Sequence, residues 1–171
     1  MTAKKTRSYD YVNLPLDAEA AMRLSGLEYM KALNSGEVTA KPSMIVTMGI
    51  SDALDLDYGK VAFEADPADF LLNPVGTLHG GFAATLLDTA LGVCVHTTLE
   101  AGLGYTTAEL KVNYTRAILP TTGRLRAEAT IVHRGRQMAT SEARVVGIED
   151  GKLYAHGSTT CLIFPLKPKK G

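Results

Sequence analysis

The sequence predicts an α+β fold: a long antiparallel sheet curled around one central apolar helix, with a helical extension before it. Three observations predict it. The stretch 80–100 reads as one long apolar helix. The chain after it is almost entirely strand-like runs separated by turn signals. The segment before it carries a short helical region and then two more strand-like runs. A single helix buried on most sides needs a sheet wide enough to wrap it.

Taken in order, residues 1–15 form an irregular polar leader. Asp17 is a helix N-cap candidate followed by an acidic first turn, and Leu24, Leu27, Met30 and Leu33 recur at helical spacing. Gly36 is the expected stop, so 17–34 holds one or two amphipathic helices. In 43–55, Met44, Val46, Met48 and Ile50 alternate with Ile45, Thr47, Gly49 and Ser51, which predicts a strand. A second strand is predicted over 59–66, ended by Asp66-Pro67, and 70–78 is a loop. Beyond the long helix, strands are predicted over 106–117, 123–134, 138–149 and 152–164. Their breaks are Pro120-Thr-Thr-Gly123, His133-Arg-Gly135-Arg136 and Glu149-Asp150-Gly151. The organisation is therefore a leader and covering helix over 1–40, a main domain over 41–165, and a frayed basic tail over 166–171.

Composition narrows function more by exclusion. The 171 residues suit one domain with a sizeable core; 46% are apolar and 21% charged. Lys plus Arg and Asp plus Glu number 18 each, without the basic excess of a nucleic-acid binder. Cys94 and Cys161 sit in apolar runs and read as small core residues, so no metal site and no cofactor are expected. His79, Asp88 and His96 interrupt 78–99, which argues against a membrane span, and no apolar core follows the basic N-terminus as a signal peptide requires. The cytoplasm is the expected location. His96, His133 and His156 are isolated and read as structural.

Chemistry concentrates where the loop meets the long helix. Asn73-Pro-Val-Gly-Thr-Leu-His79-Gly80-Gly81 runs straight into Phe82-Ala-Ala-Thr-Leu-Leu-Asp88-Thr-Ala-Leu-Gly92. Gly amides at a helix N-terminus suit a developing oxyanion. A lone carboxylate on an apolar helix is costly to bury and usually has a task or a partner. Together they suggest acyl chemistry. Gly81 and Asp88 are seven residues apart, hence about 10 Å along the helix, yet one reacting carbon must sit about 3 Å from both groups. One chain cannot easily supply both to one site, so a dimer with sites at the subunit interface is expected.

The ordered series Asn73, Gly76, His79-Gly80-Gly81, Leu86-Leu87-Asp88-Thr89-Ala90, Thr107-x-x-Leu110-x-x-x-Tyr114-x-Arg116, Gly123, His133-Arg134-Gly135-Arg136 and Asp150-Gly151-Lys152 resembles the hotdog-fold thioesterases, specifically the PaaI-like acyl-CoA thioesterase group. The match runs from about residue 43 to 164, and the leader is its main departure. The resemblance implies Asp88 as general base or nucleophile, the Gly80 amide as the donor that polarises the carbonyl, and His79 ordering the loop rather than acting as base. It gives Thr107 the support of the carboxylate or water, with neighbouring Thr106 leaving the register open by one. It implies acyl-CoA as substrate and a dimer or dimer of dimers as the assembly.

Each assignment has a plainer counterpart. The glycines alone could be a helix-start turn. Asn73, expected to position water or carbonyl, sits in an Asn-Pro turn that favours the same residue. Gly81, Phe82 and Thr106 are candidate substrate contacts. Arg134, Gly135 and Arg136 could hold CoA phosphates, or form only an exposed hairpin tip. Phe82, Leu91, Val95 and Tyr105 are expected to shape the acyl pocket. Alternatives to a thioesterase are a hotdog enoyl-CoA hydratase or dehydratase, which His79 keeps open, and a non-catalytic acyl-CoA binding module.

Overall fold

A computed structural model describes residues 4–11, 16–39 and 41–167. The expected tail over 166–171 lies mostly outside these residues, as does part of the leader.

The N-terminal helical region is two helices, α1 (Ala18–Arg23) and α2 (Gly26–Ser35). Asp17 caps α1, accepting from the Ala20 amide at 3.0 Å. Ser25 and Glu28 form a reciprocal capping box that restarts the helix, and Gly36, at φ 81°, closes it in the left-handed conformation.

Residues 43–55 are not one strand. They contain a third helix, α3 (Ser43–Met48), and then a four-residue strand, β1 (Leu54–Asp57). The run Met44–Met48 is apolar at helical spacing as well as alternate spacing, so its pattern alone does not choose. Ile45 and Met48, three apart, are the pair that packs on the core. Gly49 ends the helix at φ 67°, its amide donating to Val46 O. Ile50 contributes only an isolated bridge to Ala65.

The other elements are β2 (Lys60–Ala65), a 3-10 turn at Asp69–Leu71, α4 (Gly80–His96), β3 (Leu103–Tyr114), β4 (Leu125–Arg134), β5 (Met138–Gly147) and β6 (Leu153–Pro165). The six strands form one antiparallel sheet in the order β1-β2-β4-β5-β6-β3, so the twelve-residue β3 is an edge strand. The hairpins obey their turn chemistry. Gly151 takes φ 64° between β5 and β6, while Asp150 accepts from the Lys152 amide at 3.0 Å and the Tyr154 hydroxyl at 2.8 Å.

The sheet wraps α4. Leu86, Leu87, Ala90, Leu91, Cys94 and Val95 are fully buried against it, and each large side chain contributes about 1.5–3 kcal/mol by leaving water. Buried hydroxyls are spent on the helix: Ser141 Oγ donates to Leu91 O at 3.0 Å and Thr97 Oγ1 to Cys94 O at 2.7 Å. Cys94 Sγ donates to Gly59 O at 3.2 Å, and burial pushes its thiol up to about 12. Among the described residues no helix is long and apolar enough to cross a membrane. The opposite face of α4, with Ala84, Thr85, Asp88, Thr89 and Val93, stays half-exposed.

Candidate active site

The loop before α4 is closed by Asn73. Its amide and carbonyl bond Thr77 O (2.8 Å) and the Gly76 amide (3.1 Å). Its side chain donates to Thr77 Oγ1 at 2.7 Å and accepts from the Val75 amide at 2.9 Å. Gly76 supplies the left-handed turn at φ 83°. In this chain the Asn73 side chain therefore organises its own loop.

His79 is the N-cap of α4. Its Nδ1 accepts from the Gly81 amide at 2.9 Å, which requires that nitrogen to be unprotonated. The Gly81 donor is thereby used. The Gly80 amide has no partner among the described residues and sits at the positive end of a seventeen-residue helix. Gly80 is also closely packed: a Cβ there would lie 3.2 Å from the Cζ and hydroxyl oxygen of Tyr114, whose hydroxyl donates to Gly80 O at 3.1 Å. Gly80, Thr77, Tyr114 and Arg116 border a cleft of about 340 Å³.

Asp88 does not share the burial of Leu86, Leu87 and Ala90. It is half-buried on the outward face of α4, where Thr107 Oγ1 donates to its Oδ1 at 3.1 Å. The open register thus falls to Thr107. Thr106, one residue earlier on β3, turns to the other face of the sheet. A bulge between Thr107 and Glu109 breaks the β3–β6 register beside the contact. Asp88 opens into a second cleft, of about 500 Å³, walled by Pro42, Met44, Ile45, Gly92, Tyr105 and Leu110. A Cβ on Gly92 would come within 3.0 Å of the Tyr105 ring, and burial holds the Tyr105 phenol well above its ordinary range. Eight residues separate Gly80 from Asp88, about 12 Å of helix rise, so the amide and the carboxylate of one chain open into different clefts.

The remaining candidates are spread out. Phe82 is buried in the core, with its edge on a third cleft shared with Phe70, Leu72, His79 and Gly81. Leu91 and Val95 are fully buried against the sheet and line none of these clefts; their helix face points inward. In the β4–β5 turn, Arg134 is half-buried, donates to Gly135 O and lies 3.9 Å from Glu100. Arg136 is exposed. Arg134, Ala139, Cys161 and Thr107 are successive partners across four strands, which puts the turn roughly 15 Å from Thr107. Sequence reasoning missed Met44 and Ile45 as cleft walls, because a strand reading hid the helix that carries them. Among the described residues no three His, Cys, Asp or Glu side chains gather as a metal-holding group.

An antiparallel sheet curled around one long helix is the hotdog architecture. Comparison with known proteins agrees. Residues 75–154 match the family described as the thioesterase superfamily. The chain is 40% identical over 73 residues to a candidate esterase of Halobacterium salinarum, and 35% identical over 99 residues to one of Caenorhabditis elegans. These matches cover 42% and 57% of this chain but only 46% and 56% of the relatives, so the chain spans about half their length. A solved structure of a candidate thioesterase from Ralstonia eutropha JMP134, a phenylacetic-acid-degradation-related protein, is 31% identical at a TM-score of 0.69, covering 78% of this chain and 98% of that one. The chain belongs to the hotdog-fold thioesterase superfamily, and its likeness within it is to the PaaI-like proteins.

Proposed function

We propose that the protein is an acyl-CoA thioesterase whose site is shared between two copies of the chain. The observation that carries the reading is the separation just described: a carboxylate positioned by Thr107 in an apolar cleft, and an unpaired helix-start amide about 12 Å away in another. Two chains side by side bring one copy's Asp88 to the other's Gly80. The bare edge of β3 and the open face of α4 are the surfaces such a pairing would cover. The minimum unit is then a dimer.

In the reaction, the thioester carbonyl oxygen accepts from the Gly80 amide, and the acyl chain lies along the Met44–Ile45 wall. Asp88 either takes a proton from water as the water oxygen bonds to the carbonyl carbon, or bonds to that carbon itself to give an anhydride that water opens. In both routes the C–S bond breaks, CoA leaves as the thiolate, and the acyl group leaves as the carboxylate. Oxyanion stabilisation by one such donor is worth about 3 kcal/mol. Arg136, exposed on the β4–β5 turn, is a better phosphate contact than Arg134, which is engaged locally.

The test is free-thiol release from short, medium, long, arylacetyl and enoyl CoA esters, beside Asp88→Asn. Release that the substitution abolishes supports the reading. Full activity in Asp88→Asn removes Asp88 from the mechanism. Loss of enoyl absorbance without thiol release assigns a hydratase, and tight binding without turnover assigns a binding module.

A further inference from the structure

Helix α3 buries none of its residues completely, yet it walls the Asp88 cleft through Met44, Ile45 and the N-cap residue Pro42. A six-residue helix is too short to hold itself together in water. Its C-terminal end is held from outside. The Arg7 guanidinium donates to Thr47 O at 2.7 Å, and at 3.4 Å to Val46 O, which also accepts from the Gly49 amide. The same guanidinium lies 4.0 Å over the Phe70 ring and 4.6 Å from the Tyr9 ring centroid. Thr47 Oγ1 donates to the Tyr9 hydroxyl at 3.2 Å, and Lys5 pairs with Asp69. Residues 5–9 thus strap the 69–71 turn to the end of α3.

We infer that Arg7 is a positioning residue that fixes α3 as the wall of the acyl groove, and that this strap sets how long an acyl chain the site accepts. The inference rests on the thioesterase reading of the Asp88 cleft. A planar guanidinium donates to both carbonyls of the helix end while lying over an aromatic ring, which the point charge of a lysine does not. Without it, α3 keeps the Ile45 and Met48 packing and the single exposed Thr47–Tyr9 hydrogen bond, and half-exposed Met44 swings clear of the groove. The wall then yields to longer acyl groups, while the Asp88–Thr107 pair, on α4 and β3, stays where it is.

The experiment compares wild type, Arg7→Ala and Arg7→Lys in the full chain by two readouts. The first is amide hydrogen exchange over residues 43–50. In Arg7→Ala it is expected to be about tenfold faster there, with α4 unchanged. The second is kcat/KM for dodecanoyl-CoA relative to butanoyl-CoA. That ratio is expected to rise about fivefold in Arg7→Ala through KM, with kcat for butanoyl-CoA held, and to lie between in Arg7→Lys. Unchanged exchange overturns the strap. Faster exchange with an unchanged chain-length ratio overturns the selecting role. If wild type cleaves no ester, the thioesterase reading fails, and calorimetric affinities for the same two esters carry the comparison. A ratio of affinities that Arg7→Ala leaves unmoved, or no binding at all, overturns the inference as well.

Discussion

Gly80→Pro isolates the backbone amide that the mechanism depends on. Gly80 is the first residue of α4, where proline is well accommodated because the first-turn amide has no intrahelical partner. The preceding His79, at φ −61° and ψ 137°, already has the extended conformation that a following proline demands. The substitution removes the N–H and adds carbon beside Tyr114, 3.2 Å away. Tyr114 is 56% exposed and can give way by the few tenths of an ångström required. Gly80→Ala introduces the same Cβ but keeps the N–H, so the pair of variants separates the donor from the crowding. Loss of one oxyanion donor costs about 3 kcal/mol, and kcat in Gly80→Pro is expected to fall roughly 10²- to 10³-fold below Gly80→Ala. The assay is steady-state thiol release with the best ester, with melting temperatures beside it to show that both variants fold. A Gly80→Pro enzyme as fast as Gly80→Ala would refute the assignment.

Thr107→Val keeps the β-branched shape but removes the bond to Asp88; losing a hydrogen bond to a half-exposed carboxylate, about 1–2 kcal/mol, should lower kcat/KM roughly 5- to 30-fold while Thr107→Ser keeps most activity. Gly26→Ala tests the docking of α2: its Cβ would lie 1.7 Å from the His96 carbonyl oxygen, a backbone atom that cannot swing away. Thermal unfolding should show a melting point lowered by roughly 5–10 °C. His96, packed edge-on to Tyr29 and tilted against Tyr105, has its pKa pushed down to about 4 by burial. The unfolded chain therefore binds more protons below its ordinary pKa of about 6.5, and stability present above that pH is lost as pH falls towards 4. Urea unfolding should show a loss of up to about 3 kcal/mol across that window, and His96→Phe should lack this increment.

The strands after α4 were legible because their turns announce them: Gly123, Gly135 and Gly151 each punctuate an alternating run. Helix α4 was legible from its length and apolar content. Helix α3 was not, because Met44–Met48 satisfies both periods and only the packing of Ile45 and Met48 on the core selects the helix. The orientation of Asp88 was hidden for a related reason. Only the narrow stripe Thr85, Asp88 and Thr89 marks the open side of an otherwise apolar helix, and an isolated carboxylate on such a helix reads first as buried. The division of labour between the two glycines was also out of reach, since it depends on His79 turning its Nδ1 to the Gly81 amide. Thr107 could not be told from Thr106 until the register of β3 was known, and the bulge beside it has no mark in the sequence. Arg7 carried no signal at all, because the carbonyls and the Phe70 ring that it joins lie 39 to 63 residues away.

An active site built from two chains is tested most directly by subunit mixing. Asp88→Asn and Gly80→Pro proteins, each inactive alone, are unfolded together, refolded and assayed for thiol release. In a hybrid dimer one site receives the intact Gly80 amide of the first chain and the intact Asp88 of the second. Random pairing should then restore about a quarter of wild-type activity, since half the dimers are hybrids with one competent site each. Activity no greater than the sum of the two variants, with hybrids shown to form, would contradict the account and return both groups to a single chain.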